Sequence, residues 1–118
     1  MINRNALRIA LYTALFAMAV PAFAAKGDVA AGEQKSKVCQ ACHGKDGNGV
    51  PNMDMYPRLA GQYADYLVKA LKDYKSGARK NPIMAGFAGT LEEQDMLDLA
   101  AYFSAQKSPL HDLSQHHD

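Results

Sequence analysis

Three stretches of this chain repeat apolar residues at helical spacing, and turn formers fill the segments between them. The clearest stretch covers residues 62–76. Tyr63, Tyr66, Leu67, Ala70, Leu71 and Tyr74 recur three and four apart, with Asp65, Lys69, Lys72 and Lys75 mostly opposite. That is the pattern of an amphipathic helix, with Gly77 as its C-terminal cap. Core packing is expected for Tyr63 and Tyr66. Asp28 is a good N-cap for an earlier helix over about 29–40. Its apolar face (Val29, Ala30, Gly32, Ser36, Val38) is modest. Gly32 costs up to ~1 kcal/mol against alanine in a helix. It points to close approach by another helix, or equally to a tolerated glycine. Thr90-Leu91-Glu92-Glu93 reads as a capping box opening a last helix, with acidic residues crowding its first half as the helix dipole favours. Met96, Leu99, Ala100 and Phe103 face inward, Leu97 and Ala101 flank them, and the helix should end near Gln106.

The intervening segments read as loops. Residues 44–59 hold Gly44, Asp46, Gly47, Asn48, Gly49, Pro51, Asn52 and Pro57, which are turn residues throughout. A loop this long in a small domain is functional or wraps something. Residues 79–89 form a second loop with Pro82, Met84, Gly86 and Gly89, and residues 108–118 a polar tail. There is no convincing strand pattern and no internal repeat, so the expected fold is all-α with one domain.

The N-terminus has a different pattern. Residues 1–8 carry Arg4 and Arg8 and no acid, residues 9–20 are almost wholly apolar, and Pro21-Ala22-Phe23-Ala24 supplies an Ala-x-Ala frame. This is a secretory leader cut after Ala24. The apolar run is shorter than the ~20 residues of a membrane span, and an uncleaved anchor is the alternative. Export places residues 25–118 in an oxidising compartment, the periplasm in bacteria. They divide into a domain over 25–107 and the tail. The chain has 13 basic and 12 acidic residues; losing Arg4 and Arg8 leaves 11 against 12, a formal −1. That balance speaks against nucleic-acid binding.

Cys39-Gln40-Ala41-Cys42-His43 holds both cysteines of the chain. The run is the attachment motif of a c-type haem. Each thiol adds across one vinyl group, and His43 follows at once to bind the iron, a ligand haem accepts. A Cys-x-x-Cys pair also serves redox dithiols, zinc sites and disulfides. A dithiol asks for a βαβ context. Zinc asks for four ligands, and the remaining histidines (His111, His116, His117) lie in the polar tail. In a core this small, haem would supply much of the apolar interior.

His43 leaves one axial face of the iron open. Met53, Met55, Met84, Met96, the tail histidines or nothing are the candidates. Met53 and Met55 follow His43 by only 10 and 12 residues, a short path around the disc edge. Met96 sits on the inner face of the last helix and reads as core. Met84 lies 41 residues on, between two helices, beside Pro82 and Gly86. It is the expected sixth ligand, since His/Met is an established haem ligation.

The chain resembles the class I c-type cytochromes, and within them the bacterial cytochrome c-four and c-five subgroup. The residues that carry the likeness are 28–32, the run 39–44, Asp46-Gly47-Asn48, Tyr56-Pro57-Arg58-Leu59-Ala60-Gly61-Gln62, then Tyr66, Leu67, Leu71, Lys75-Ser76-Gly77-Ala78-Arg79, Met84, Leu91, Asp95 and Asp98-Leu99-Ala100-Ala101-Tyr102-Phe103. The resemblance implies an all-α cytochrome c fold, with three main helices wrapped around one covalently bound haem c. It implies that the first and last helices cross near Gly32 and Tyr102–Phe103, and that the Pro57 carbonyl accepts a bond from the His43 ring. Two features depart from the subgroup. The c-four proteins carry two such domains, and Lys35 and Ser36 are polar for residues beneath a helix crossing.

The expected function is that of a secreted monohaem electron carrier, not an enzyme, with His43 and Met84 on the iron and Cys39 and Cys42 as thioethers. Its partners would be redox proteins met transiently, with no nucleic acid and no stable membrane insertion, and the protein itself a monomer. Lys35, Lys37 and Lys45 lie near the motif in sequence and read as solvated charges. An open-faced haem enzyme or gas sensor, and a fixed subunit of a larger oxidase or reductase, are the alternatives.

Overall fold

The last helix organises the domain. In the computed structural model, which describes residues 25–109, the regular elements are α1 (Val29–Lys35), α2 (Lys37–His43), a 3-10 turn (Lys45–Gly47), α3 (Ala64–Ser76), α4 (Pro82–Gly89) and α5 (Glu93–Ser104). No strand occurs among the described residues, so the fold is all-α as expected. The leader assigned to residues 1–24 and the tail histidines His111, His116 and His117 lie outside the described residues. No described helix is long and apolar enough to cross a membrane.

α5 packs against both α1 and α3, and α4 packs on α3. Met96, Leu99, Ala100, Tyr102 and Phe103 bury the inner face of α5. Leu67 from α3 joins it, and Cys39, Leu59, Ala64, Val68 and Leu91 pack against this cluster. Each large apolar side chain so buried contributes ~1.5–3 kcal/mol. Lys72 reaches Glu93 at 2.5 Å and Lys75 donates to the Leu91 carbonyl, tying α3 to the start of α5.

The crossing of α1 and α5 depends on Gly32. A Cβ there would lie 2.0 Å from the Asp98 carbonyl oxygen and 2.7 Å from Tyr102 Cβ, so no larger residue fits without moving a helix. Close approach is therefore the role of this glycine. The polar residues beside it are partnered. Lys35 Nζ meets Asp98 Oδ2 at 2.5 Å and Asp95 Oδ1 at 2.8 Å. Ser36 is fully buried and donates to the Glu33 carbonyl while accepting from Gln40 Nε2, both at 2.8 Å.

Several boundaries differ from expectation. The helix expected over 29–40 runs on to His43 and is interrupted at Ser36. The Ser36 hydroxyl bonds back to the preceding turn, an arrangement that bends helices. The expected loop over 79–89 contains α4, so Met84 stands on a helix. Asn81 caps α4, accepting from Ile83 and Met84 N–H, and Pro82 opens it. An N-cap and a proline in the first turn start a helix despite the glycines that follow. The capping box of α5 is Glu92 with Asp95, two residues later than Thr90 with Glu93, and α5 ends at Ser104. Tyr63 and Tyr66 are exposed, at 59% and 47%, and are not core. The helical period placed them on the α3 stripe, but only Leu67 of that stripe is fully buried.

Candidate haem attachment site

α2 carries Cys39, Cys42 and His43 in its last turn and a half. The cysteines stand three residues apart, one above the other on a helix face. Neither forms a disulfide, and both are half-buried. Burial pushes the Cys39 thiol up from its ordinary value. No group of three or more metal-ligating side chains exists among the described residues.

His43 is 6% exposed. Its Nδ1 lies 2.8 Å from the Pro57 carbonyl oxygen. A carbonyl only accepts, so Nδ1 carries the proton and Nε2 keeps its lone pair for a metal. The ring meets Tyr56 edge-on, with centroids 6.3 Å apart. The 44–59 loop is built to deliver this contact. Gly44 ends α2, and Gly49 N–H returns to the His43 carbonyl at 2.7 Å. Leu59 and Ala60 N–H then both donate to the Gly47 carbonyl, at 2.8 and 3.1 Å. This closes the loop on itself and brings Pro57 back over His43, as the resemblance implied.

The candidate methionines differ in burial and setting. Met96 is 2% exposed in the α5 core, as its spacing implied. Met53 and Met55 are exposed in the 44–59 loop. Met84 is half-buried in the first turn of α4, where its N–H donates to Asn81 Oδ1 at 3.1 Å. Lys37 and Lys45 are exposed, whereas Lys35 belongs to the ion pairs of the α1–α5 crossing.

The donor set fits a c-type haem. Two thiols on one helix face suit two thioethers, and a buried imidazole follows with its ring orientation fixed by a carbonyl. Val38, Tyr63, Tyr66, Ile83 and Phe87 are among the large apolar side chains left exposed.

Two groups, named in the sequence only through the resemblance, have polar partners it did not anticipate. Asp98 is 2% exposed. Its Oδ1 accepts from Asp28 N–H and Gln94 Nε2, both at 2.8 Å. Lys35 above all, then Asp28 N–H and Gln94, holds its carboxyl down at about 2. Tyr102 donates its hydroxyl to Asp46 Oδ1 at 2.8 Å, 56 residues away in sequence. Burial first, then Asp46, pushes its phenol up from the ordinary value. The available signal was their spacing. Asp98 and Tyr102 are four apart, on the α5 face that Gly32 approaches.

The profile of the family described as Cytochrome c matches residues 29–107. Cytochrome c4 of Pseudomonas aeruginosa is 50% identical over 84 residues, covering 70% of this chain and 40% of that protein. Cytochrome c-554(548) of Halomonas halodenitrificans is 45% identical over 84 residues, covering 69% of this chain and 99% of its own length. The crystal structure of reduced recombinant cytochrome c4 from Pseudomonas stutzeri superposes with a TM-score of 0.63 at 46% identity, over 71% of this chain and 48% of that one. This chain thus spans half or less of the cytochrome c4 proteins it matches and nearly the whole of the Halomonas protein. The attachment run, the imidazole held by Pro57 and the helix crossing at Gly32 lie within the matched residues, and the chain belongs to the cytochrome c family.

Proposed function

We infer that this protein is a periplasmic one-electron carrier with a single covalently attached haem, and not an enzyme. The observation that carries the reading is the pairing on α2 of two cysteines outside any disulfide with a buried histidine whose Nδ1 is committed to Pro57. Haem iron, when bound, supplies a one-electron change between the ferrous and ferric states. Cys39 and Cys42 would anchor the ring through thioethers. His43 would ligate the iron through Nε2, with its ring orientation set by the Pro57 carbonyl. Met84 would supply the second protein ligand, from a helix capped by Asn81 and packed on α3. The commitment of Met96 to the core supports this choice. A thioether ligand favours the ferrous state and raises the potential. A filled axial position keeps small ligands off the iron, which suits transfer rather than catalysis. Residues 25–107 form the haem domain, and residues 1–24 the leader that brings it to the periplasm. The monomeric carrier meets its redox partners through small, transient contacts.

The mass of the exported protein tests this reading. It should equal residues 25–118 plus one haem, and the haem should stay on the chain through acid–acetone extraction. Extractable haem, or two alkylatable thiols, would contradict it.

A further inference from the structure

The end of α5 grips both limbs of the loop that orients His43. On the first limb, Tyr102 donates to Asp46 at 2.8 Å. Next to it, Gly47 lies so close to the Phe103 ring that a Cβ would sit 2.7 Å from Cδ1. Asn48 Nδ2 adds a bond to the Lys107 carbonyl at 3.1 Å. On the second limb, Gly61 N–H donates to the Phe103 carbonyl at 2.9 Å. The limbs meet where the Gly47 carbonyl accepts from Leu59 and Ala60. Pro57, whose carbonyl holds the His43 ring, stands two residues before that junction.

The backbone of Asp46 is left-handed, at φ 55° and ψ 14°. That conformation is unfavourable for a residue with a Cβ, although aspartate tolerates it better than most. Tyr102 is 5% exposed, and a hydroxyl withdrawn from water needs a partner. Tyr102 and Asp46 therefore support each other. The turn gives Tyr102 an acceptor, and Tyr102 holds the turn in place.

We propose that Tyr102 is a positioning residue for His43: by fixing Asp46 it sets the Gly47 carbonyl, and through Leu59 and Ala60 the Pro57 carbonyl that receives Nδ1–H. The proposal rests on the reading of His43 as the iron ligand. A firm bond from Nδ1–H makes the imidazole a more basic ligand, which favours ferric iron. Loosening that bond raises the reduction potential.

The test uses the haem-loaded protein, measuring the reduction potential and the His43 Nδ1–H proton resonance of the ferrous form. In Tyr102→Phe the resonance should move upfield and the potential should rise. Asp46→Ala removes the acceptor and keeps a Cβ on the left-handed backbone, and it should shift both readouts the same way. Asp46→Asn keeps an acceptor and a tolerated left-handed residue, and it should match the wild type. Lys72→Ala, which cuts an ion pair between α3 and α5, should leave both readouts unchanged whatever it does to stability. If Tyr102→Phe fails to load haem, Asp46→Ala decides alone. Wild-type resonance and potential in the loaded variants would overturn the proposal, as would an equal shift in Lys72→Ala. The ligand reading fails separately: a His43→Ala protein with an unchanged low-spin haem spectrum would overturn it without reference to Tyr102.

Discussion

Replacing Asp98 by asparagine should loosen the crossing of α1 and α5 without altering its shape. The carboxylate joins three segments, through Asp28 N–H, Gln94 Nε2 and Lys35 Nζ. These partners, Lys35 foremost, pull its pKa from the ordinary 3.8 to about 2. A depression of nearly two pH units corresponds to ~2.5 kcal/mol. The Lys35 side chain is 35% exposed, so water screens its share, and ~1–2 kcal/mol is the expected contribution. Folding lowers this pKa. The stabilisation is therefore complete above the unfolded value, near 4, and is lost as pH falls through about 2. Asp98→Asn keeps the volume and an acceptor for Asp28 N–H but removes the charge. Urea unfolding of the haem-loaded protein should show the variant ~1–2 kcal/mol less stable at pH 7, with that gap roughly halved by about pH 3. Equal stability at pH 7, or a gap that does not shrink on acidification, would refute the reasoning.

Three further outcomes follow from the same packing. Gly32→Ala places a methyl 2.0 Å from the Asp98 carbonyl oxygen; it should cost at least ~2 kcal/mol, read as a drop in the urea midpoint. A Cys39→Ala, Cys42→Ala protein, deprived of covalent haem, should show weak helical circular dichroism and no cooperative melt, because few large side chains are buried without haem. Met84→Ala should lower the reduction potential and abolish the long-wavelength sulfur-to-iron band of the ferric protein, whereas Met53→Ala, Met55→Ala and Met96→Ala should keep it. Met96→Ala alone of those three should lose ~2–5 kcal/mol of stability through its cavity.

The parts of the fold that rest on local chemistry were legible in the sequence. The attachment run declared its chemistry through residue type and spacing, and Asp28, Gly77 and the Met96–Leu99–Phe103 stripe marked helices that the structure contains. The errors arose where one local signal competed with another. Glycines at 86 and 89 read as loop, but Asn81 and Pro82 set a helix going first. Thr90 and Glu93 satisfied a capping pattern that Glu92 and Asp95 satisfy in fact. Tyr63 and Tyr66 obeyed the helical period, yet the period shows which residues share a face and not how much of that face is covered. The bond from Tyr102 to Asp46 spans 56 residues, and those that Asp98 accepts from Lys35 and Asp28 span 63 and 70. Neither propensity nor periodicity reaches across such separations. The contact between His43 and Pro57 was anticipated only through the family resemblance.

The claim that this protein carries electrons on an iron closed by His43 and Met84 is tested most directly by exposing the reduced wild-type protein to carbon monoxide. A closed site should leave the visible spectrum unchanged over minutes, and the oxidised protein should display the sulfur-to-iron band. Rapid carbon monoxide binding together with absence of that band would contradict the account and identify an open-faced haem instead.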